Sequence, residues 1–292
     1  MAGVERVGDD AVLDDVLRLR HEERTRLFQR VHVATEADAR VAAAWLHGSC
    51  ARGDADALSD LDVTVVVADS AICAVAGDPS RPVDYGRVLD SPRGRWIRQI
   101  AEPLLLLEAP QNAPAGGAFL TTFFAGKTGP QQVDWEWLPR STARVPRAAV
   151  LLFDRADIPR ETGPTEDGRP GTTPDRTPYE VAAHAVPWFW ATLLWNAKHA
   201  ARSPGGTQML MAGSTVRAVH DVEQFLDPGS APLAYEPVIG RLQDRIRVLF
   251  DLIDRMERLT AIASTLCADI PSEVAPRVRQ YVHLAREIMM SA

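Results

Sequence analysis

The sequence has few of the features that mark secreted, zinc-binding or membrane-spanning proteins. Three cysteines occur in 292 residues, at positions 50, 73 and 267. This odd, widely spaced set predicts reduced thiols and neither a disulfide framework nor a zinc site. No run of about 18 consecutive apolar residues occurs, so we expect no membrane span. The segment MAGVERVGDD has no apolar core, so we expect no secretory signal and a cytoplasmic location.

Lysine is scarce, and the chain is acidic. Of 32 basic residues only Lys127 and Lys198 are lysines, and the formal net charge is −7. An acidic chain is a poor match for nucleic acid, because phosphate backbones require a basic surface. The charge is compatible with a small cationic substrate. The length allows two domains, each with its own core.

The chemistry concentrates in the stretch LHGSCARGDADALSDLDV, which spans residues 46–63. The apolar, β-branched run that follows it to Val67 predicts a buried strand. Because side chains alternate along a strand, Asp60 and Asp62 share one face. Two adjacent carboxylates repel each other and are costly to desolvate, so the pair predicts a bound cation.

The loop ahead of this strand has the features of an anion-binding turn. Gly48 allows close approach of the backbone to a ligand, and Ser49 offers a hydroxyl and an amide. The amides of the turn at residues 50–53 can point at phosphate, and Arg52 adds a planar cation. Phosphate groups beside a divalent metal describe a nucleotide–magnesium site.

The order Gly-Ser, ten residues, then Asp-x-Asp before an apolar strand resembles the DNA polymerase β-type nucleotidyltransferase superfamily. The longer motif GSCARG…SDLDV is most similar to the aminoglycoside nucleotidyltransferases. The general order of the chain, PLLLLE…FLTTFF…VDWEWLP followed by a helical tail, resembles their streptomycin 6-adenylyltransferase type. The resemblance implies ATP as co-substrate, two Mg²⁺ ions and transfer of AMP to a hydroxyl of a small cationic acceptor. Gly48, Ser49 and Arg52 would then bind the nucleotide.

A two-metal phosphoryl-transfer site needs a third acid from a neighbouring strand. In QVDWEWLP, alternation places Asp134 and Glu136 on one face and the apolar residues on the other. The resemblance favours Asp134, in a Val-Asp-apolar context, as metal ligand and general base beside Asp60 and Asp62. Glu136 remains the alternative. Both acids would face solvent if the sheet were simply covered on one side.

Lys198 is the basic residue of interest in the C-terminal half. It follows Leu194 and Trp195 by four and three residues, so it emerges from an apolar helix face. Such a lysine either extends to solvent or reaches a buried anion. The resemblance favours the second role, contact with the triphosphate.

The chain predicts an α+β protein with an N-terminal mixed-sheet nucleotidyltransferase domain at 1–157, a linker at 158–177 and a C-terminal helical bundle at 178–292. Residues from about 10 to 45 predict helices, with Thr35 and Asp38 as the capping pair of the second one. The apolar run at 149–155 predicts another buried strand. A capping box at Thr177 starts the helical half, with Pro187 kinking or splitting its first helix and later helices near 208–226, 236–264 and 272–290.

Several functions are compatible with this pattern. Transfer of AMP to an aminoglycoside is the leading prediction, and a lincosamide is the next acceptor. A protein-modifying, antitoxin-type adenylyltransferase uses the same core but is usually shorter. A catalytically inactive binding module would not need all three acids. The sequence does not determine the acceptor, and it allows a monomer or a dimer.

Overall fold

The computed structural model describes residues 5–78, 84–162, 176–202, 212–229, 242–262 and 270–291. The chain forms two compact units. A sheet unit comprises Glu22–Phe124 and Gln131–Asp175, and a helical unit comprises Met1–His21, Ala125–Pro130 and Arg176–Ala292. Among the described residues, no helix is both long and apolar enough to cross a membrane.

The sheet unit contains one six-stranded mixed sheet. In chain order its strands are β1 (Val41–His47), β2 (Leu61–Val67), β3 (Leu105–Glu108), β4 (Ala118–Phe124), β5 (Gln131–Pro139) and β6 (Val150–Asp154). Their spatial order is β3-β4-β5-β2-β1-β6. The β2–β5 pair is parallel, and the other four pairs are antiparallel. In this parallel pair, each residue of β2 lies opposite a residue 72 positions later in the sequence, beginning with Leu61 opposite Val133.

Eight α-helices lie in the described parts of the chain. They are α1 (Glu5–Ala37), α2 (Gly48–Arg52), α3 (Ile72–Val75), α4 (Pro92–Ile97), α5 (Pro178–Arg202), α6 (Ala212–Leu226), α7 (Leu242–Ile262) and α8 (Val274–Ser291). Together with the mixed sheet, they agree with the predicted α+β class.

The main core of the sheet unit forms because apolar residues alternate along β2 and β5. Val63 and Val65 of β2 and Trp135 and Trp137 of β5 are fully buried on the same face. Trp96 of α4 packs edge-on against the two β5 rings, at centroid distances of 5.5 and 6.0 Å. The alternate residues of both strands therefore project from the opposite face.

The predicted capping box at the start of α5 is confirmed. Thr177 and Glu180 form a reciprocal capping box, with hydrogen bonds of 2.8 and 3.3 Å between each backbone amide and the other side chain. Pro187 lies within α5 and does not split it. In the same unit, Arg20 donates to the carbonyl of Pro130 at 2.8 Å and lies 4.8 Å from the ring centroid of Tyr281.

Two local predictions were wrong. Thr35 does not begin a second helix, because it lies inside α1 and its hydroxyl donates back to the carbonyls of Val31 and His32. The segment near 150 does form a strand, but β6 lies at the edge of the sheet and is not buried. Val150 is 47% exposed and Leu151 is 37% exposed.

The boundaries of the two units differ from the predicted domain boundaries. The helical unit includes the beginning of the chain and the turn between β4 and β5, both of which the sequence assigned to the N-terminal domain. Residues 163–175 of the predicted linker lie outside the described residues, as do Cys267 and the predicted helix limits at 208, 236 and 264. The domain limits 1–157, 158–177 and 178–292 stay a prediction.

A buried ion pair supports the packing of α4 on the sheet. Arg93 donates through Nε to Glu108 at 2.5 Å and through a terminal nitrogen to the carbonyl of Ala76 at 2.6 Å. Burial raises the pKa of Glu108, and the neighbouring guanidinium opposes that shift. The negative charge of Glu108 is shielded from water, so Arg93 provides the stabilisation that water would give to an exposed carboxylate.

We expect Arg93→Ala to lower the free energy of unfolding by about 3 kcal/mol, because it removes the cation that neutralises a buried carboxylate. Urea denaturation measures the change. Arg98→Ala is the matched control, since Arg98 and Glu102 form an exposed pair whose loss should cost about 1 kcal/mol or less. Equal losses in the two variants would contradict this account of Glu108.

Candidate active site

The register of β2 and β5 places two of the predicted acids side by side. Asp62 pairs directly with Asp134 across the parallel strands, and Thr64 pairs with Glu136 two residues further along each strand. Adjacent strands lie about 4.8 Å apart. Because Asp62 and Asp134 both project from the face opposite the main core, their carboxylates lie next to each other.

Asp60 joins this pair from the end of the preceding loop. It lies immediately before β2, and its carbonyl accepts a hydrogen bond from the Cys50 thiol at 3.2 Å. Asp60 and Asp62 both raise the pKa of Asp134. The structure therefore brings the three predicted carboxylates into electrostatic contact, while their individual roles stay predictions.

Asp134 is the acid with the most perturbed ionisation. Its pKa rises from 3.8 to about 7, chiefly because burial disfavours the charged form. Thr121 opposes this shift by donating to Oδ1 at 2.7 Å. The amide of Gln132 also opposes it, with Nε2 at 3.1 Å from Oδ1 and 3.0 Å from Oδ2. A carboxyl group with a pKa near 7 can accept or release a proton at neutral pH.

Thr121 and Gln132 were not identified from the sequence. Gln132 precedes Asp134 by two residues and so shares its face of β5, which the alternation of that strand could have revealed. Thr121 lies opposite Asp134 on β4. The strand register, which no motif encodes, was needed to find it.

Gly48 is required where Asp62 approaches the backbone. It has a φ of +65°, and a Cβ atom at this position would lie 1.9 Å from Oδ2 of Asp62. Any side chain at residue 48 would therefore occupy the space of the carboxylate. The glycine of the motif thus serves two needs, a left-handed backbone conformation and contact with an acidic side chain.

The remaining loop residues occupy a single helical turn. Ser49 lies in α2, and its carbonyl accepts hydrogen bonds from the amides of Gly53 at 3.0 Å and Asp54 at 3.2 Å. Arg52 is exposed and pairs with Asp54 at 3.2 Å. The structure therefore places Ser49 next to Gly48 and pairs the Arg52 side chain with a surface carboxylate. Their nucleotide-binding roles stay predictions.

Glu136 lies in a neighbouring row of the sheet. Its Oε2 accepts a hydrogen bond from Thr64 at 3.4 Å and lies 3.9 Å from Nε2 of His47. Unlike Asp134, it does not pair with Asp62 in the strand register. This arrangement favours Asp134 as the third acid and leaves Glu136 beside a histidine.

Lys198 lies on α5 in the helical unit. Its residue surface is 7% exposed, so the side chain does not extend freely into water. Of the two alternatives that the sequence left open, the burial favours contact with protein or a buried anion over full exposure. Its contact with a triphosphate stays a prediction.

The acids suit a hard cation by their chemistry. Carboxylate oxygens are the ligands that Mg²⁺ prefers, and three mutually repelling carboxylates are stabilised by positive charge. Within the described ranges, however, no group of three or more His, Cys, Asp or Glu residues is arranged so that it could hold a metal ion. The side chain of Gln132 contacts both oxygens of Asp134, so metal binding by Asp134 would require this contact to open.

Comparison with known families supports a transferase. Residues 32–86 match the family model described as nucleotidyltransferase domain. The match covers β1, α2 and β2, and with them Gly48, Asp60 and Asp62, and it ends before β5. No curated protein matches the chain. The coarser part of the resemblance, a nucleotidyltransferase domain that acts on a nucleoside triphosphate, is therefore supported, and the match says nothing about the acceptor.

We expect Gly48→Ala to be more destabilising than Gly53→Ala. Both glycines have a left-handed backbone, with φ of +65° and +79°, but a Cβ at Gly53 would meet nothing within 4 Å. Gly53→Ala should therefore cost only backbone strain, about 1–2 kcal/mol. Gly48→Ala should cost at least about 1 kcal/mol more, because Asp62 must also move. Urea denaturation of both variants measures the difference, and equal costs would contradict the contact with Asp62.

The raised pKa of Asp134 predicts a pH dependence of stability in metal-free protein. Between pH 4 and pH 7 the folded state binds a proton at Asp134 that the unfolded state releases, because its pKa of about 7 exceeds the ordinary value of 3.8. The contribution of Asp134 to stability therefore falls as pH rises through this range, by up to about 1.4 kcal/mol per pH unit.

Comparison with Asp134→Asn isolates this contribution. In the presence of a chelator, the wild-type free energy of unfolding should decline relative to that of the variant between pH 4 and pH 7, and the difference should be constant above pH 8. Urea denaturation across this pH range measures it. A difference independent of pH would show that Asp134 ionises normally.

Proposed function

We propose that this protein transfers a nucleoside monophosphate, AMP from ATP, to a hydroxyl group of a small cationic molecule and releases pyrophosphate. The direct pairing of Asp62 with Asp134, beside Asp60 and behind Gly48, is the observation that carries the proposal. The match of residues 32–86 to a nucleotidyltransferase domain supports the reaction type. An aminoglycoside is the proposed acceptor class, on the resemblance of GSCARG…SDLDV and the net charge of −7.

In this proposal Asp60, Asp62 and Asp134 would hold two Mg²⁺ ions. When bound, these ions would neutralise the phosphate oxygens and the developing charge on the leaving group. Gly48 leaves room for the carboxylate of Asp62, and Ser49 follows it at the start of α2, where its hydroxyl and amide would meet phosphate oxygens. Arg52 and Lys198 would contact the triphosphate.

Asp134 is the proposed general base. The acceptor oxygen forms a bond to the α-phosphorus while the bond from that phosphorus to the pyrophosphate oxygen breaks. The hydroxyl proton passes to the carboxylate of Asp134. Thr121 orients this carboxylate by donating to Oδ1. Glu136 is the alternative base.

We further propose that 1–157 forms the nucleotidyltransferase domain and that 178–292 binds the acceptor. A cytoplasmic monomer or dimer completes the proposal. The free thiols of Cys50 and Cys73, two of the three cysteines and the ones within the described residues, are compatible with a reducing compartment.

The reaction is tested by incubating the protein with Mg²⁺, with ATP, GTP, CTP or UTP in turn, and with a panel of aminoglycosides and lincosamides. We expect mass spectrometry to show an AMP-sized addition to an aminoglycoside. Asp60→Asn should reduce the rate by at least about 10³-fold, because one metal ligand is lost. Glu102→Gln, an exposed acid in the Arg98 pair, should retain the wild-type rate.

The third acid is tested separately. We expect Asp134→Asn to lower kcat by at least about 10²-fold and Glu136→Gln by less than about tenfold, because only Asp134 pairs with Asp62. The reverse order would assign the base to Glu136. If no acceptor in the panel is modified by the wild-type protein, a protein acceptor becomes the better hypothesis.

A further inference from the structure

The loop between α2 and β2 determines where Asp60 enters the site. The side chain of Asp56 closes this loop on itself, because its Oδ1 accepts hydrogen bonds from the amide of Leu58 and the hydroxyl of Ser59, both at 2.9 Å. The hydroxyl of Ser59 in turn accepts from the amide of Asp56 at 3.0 Å. These contacts fix the middle of the loop, and the amide of Ser59 also donates to the carbonyl of Asp56 at 3.2 Å. The carbonyl groups of Asp56 and Ser59 accept further hydrogen bonds from outside the loop.

Arg24 supplies the donors for those carbonyl groups. It lies on the part of α1 within the sheet unit and is 6% exposed. One terminal nitrogen donates to the carbonyl of Asp56 at 2.5 Å and to that of Ser59 at 3.0 Å. Hydrogen bonds from an ionised donor are stronger than neutral ones, and a buried carbonyl without a donor is costly. Arg24 therefore holds the backbone on both sides of residues 57 and 58, directly before Asp60.

A second side chain contacts the end of the same loop. The thiol of Cys50 donates to the carbonyl of Asp60 at 3.2 Å. Arg24 and Cys50 together therefore hold the carbonyl groups of Asp56, Ser59 and Asp60, which lead directly into β2.

We propose that Arg24 is a positioning residue for the metal-binding acids. It holds the backbone of the loop so that Asp60 enters the site beside Asp62. Cys50 assists at the last carbonyl of the loop. This inference rests on the proposed function, because it assigns Arg24 to the metal–nucleotide site formed by Asp60 and Asp62.

Binding of Mn²⁺ in the presence of ATP, followed by the electron paramagnetic resonance signal of free Mn²⁺, tests this role apart from turnover. We expect Arg24→Ala to weaken binding at least about tenfold, corresponding to the loss of about 1.4 kcal/mol. Arg24→Lys, which keeps the charge, should be intermediate. Added guanidinium chloride at low millimolar concentration should partly restore binding by Arg24→Ala and should leave the wild type unchanged.

Arg26→Ala is the matched control, because Arg26 lies on the same helix, is exposed and forms a surface ion pair with Glu22 at 3.9 Å. If Arg24→Ala binds as tightly as Arg26→Ala while Asp60→Asn does not bind, Arg24 has only a structural role and the inference is overturned. If the wild type and Asp60→Asn bind equally, or neither binds, the proposed function itself fails.

A second pair of variants covers the case in which Arg24→Ala does not fold. Cys50→Ala removes the donor to the carbonyl of Asp60, and Cys50→Ser keeps a donor there. We expect Cys50→Ala to weaken Mn²⁺ binding about threefold or more and Cys50→Ser to restore it, since one neutral hydrogen bond contributes about 1 kcal/mol. Wild-type affinity in both Arg24→Lys and Cys50→Ala would count against control of Asp60 through the loop backbone.

Discussion

Repulsion among Asp60, Asp62 and Asp134 is the constraint on which the arrangement of this site depends. The pairing of β2 with β5 forces two of these carboxylates to adjacent positions, and the loop ahead of β2 brings the third. Burial adds to the cost, as the pKa of Asp134 near 7 shows. Such a cluster is unfavourable in an empty protein, and a cation that binds all three acids would remove the repulsion.

The surroundings of the acids offset part of this cost without cations. Thr121 and Gln132 donate hydrogen bonds to Asp134, and Gly48 gives Asp62 the space that a side chain would occupy. Arg24 stabilises the loop that carries Asp60. The site is therefore preorganised by hydrogen-bond donors and backbone geometry. In the proposed function, the negative charge of the acids would attract divalent cations.

Much of the fold was predictable from local patterns, and the failures have local reasons. The alternation of QVDWEWLP predicted β5 and its faces because period-two burial is encoded residue by residue. The cap predicted at Thr35 was wrong because the threonine hydroxyl can bond to carbonyls of the preceding turn just as well. The exposure of β6 was missed because an apolar strand has the same composition at the edge of a sheet as at its centre.

The sequence by itself identified the motif residues Gly48, Asp60 and Asp62 and the apolar strand that follows them, because these features lie close together in the chain. It also narrowed the third acid to Asp134 or Glu136. The tertiary structure decided which of the two faces Asp62, since that depends on the register between strands far apart in sequence. It alone revealed Arg24, because a charged residue on a helix carries no local sign that its guanidinium will be buried against the carbonyl groups of a loop more than 30 residues away.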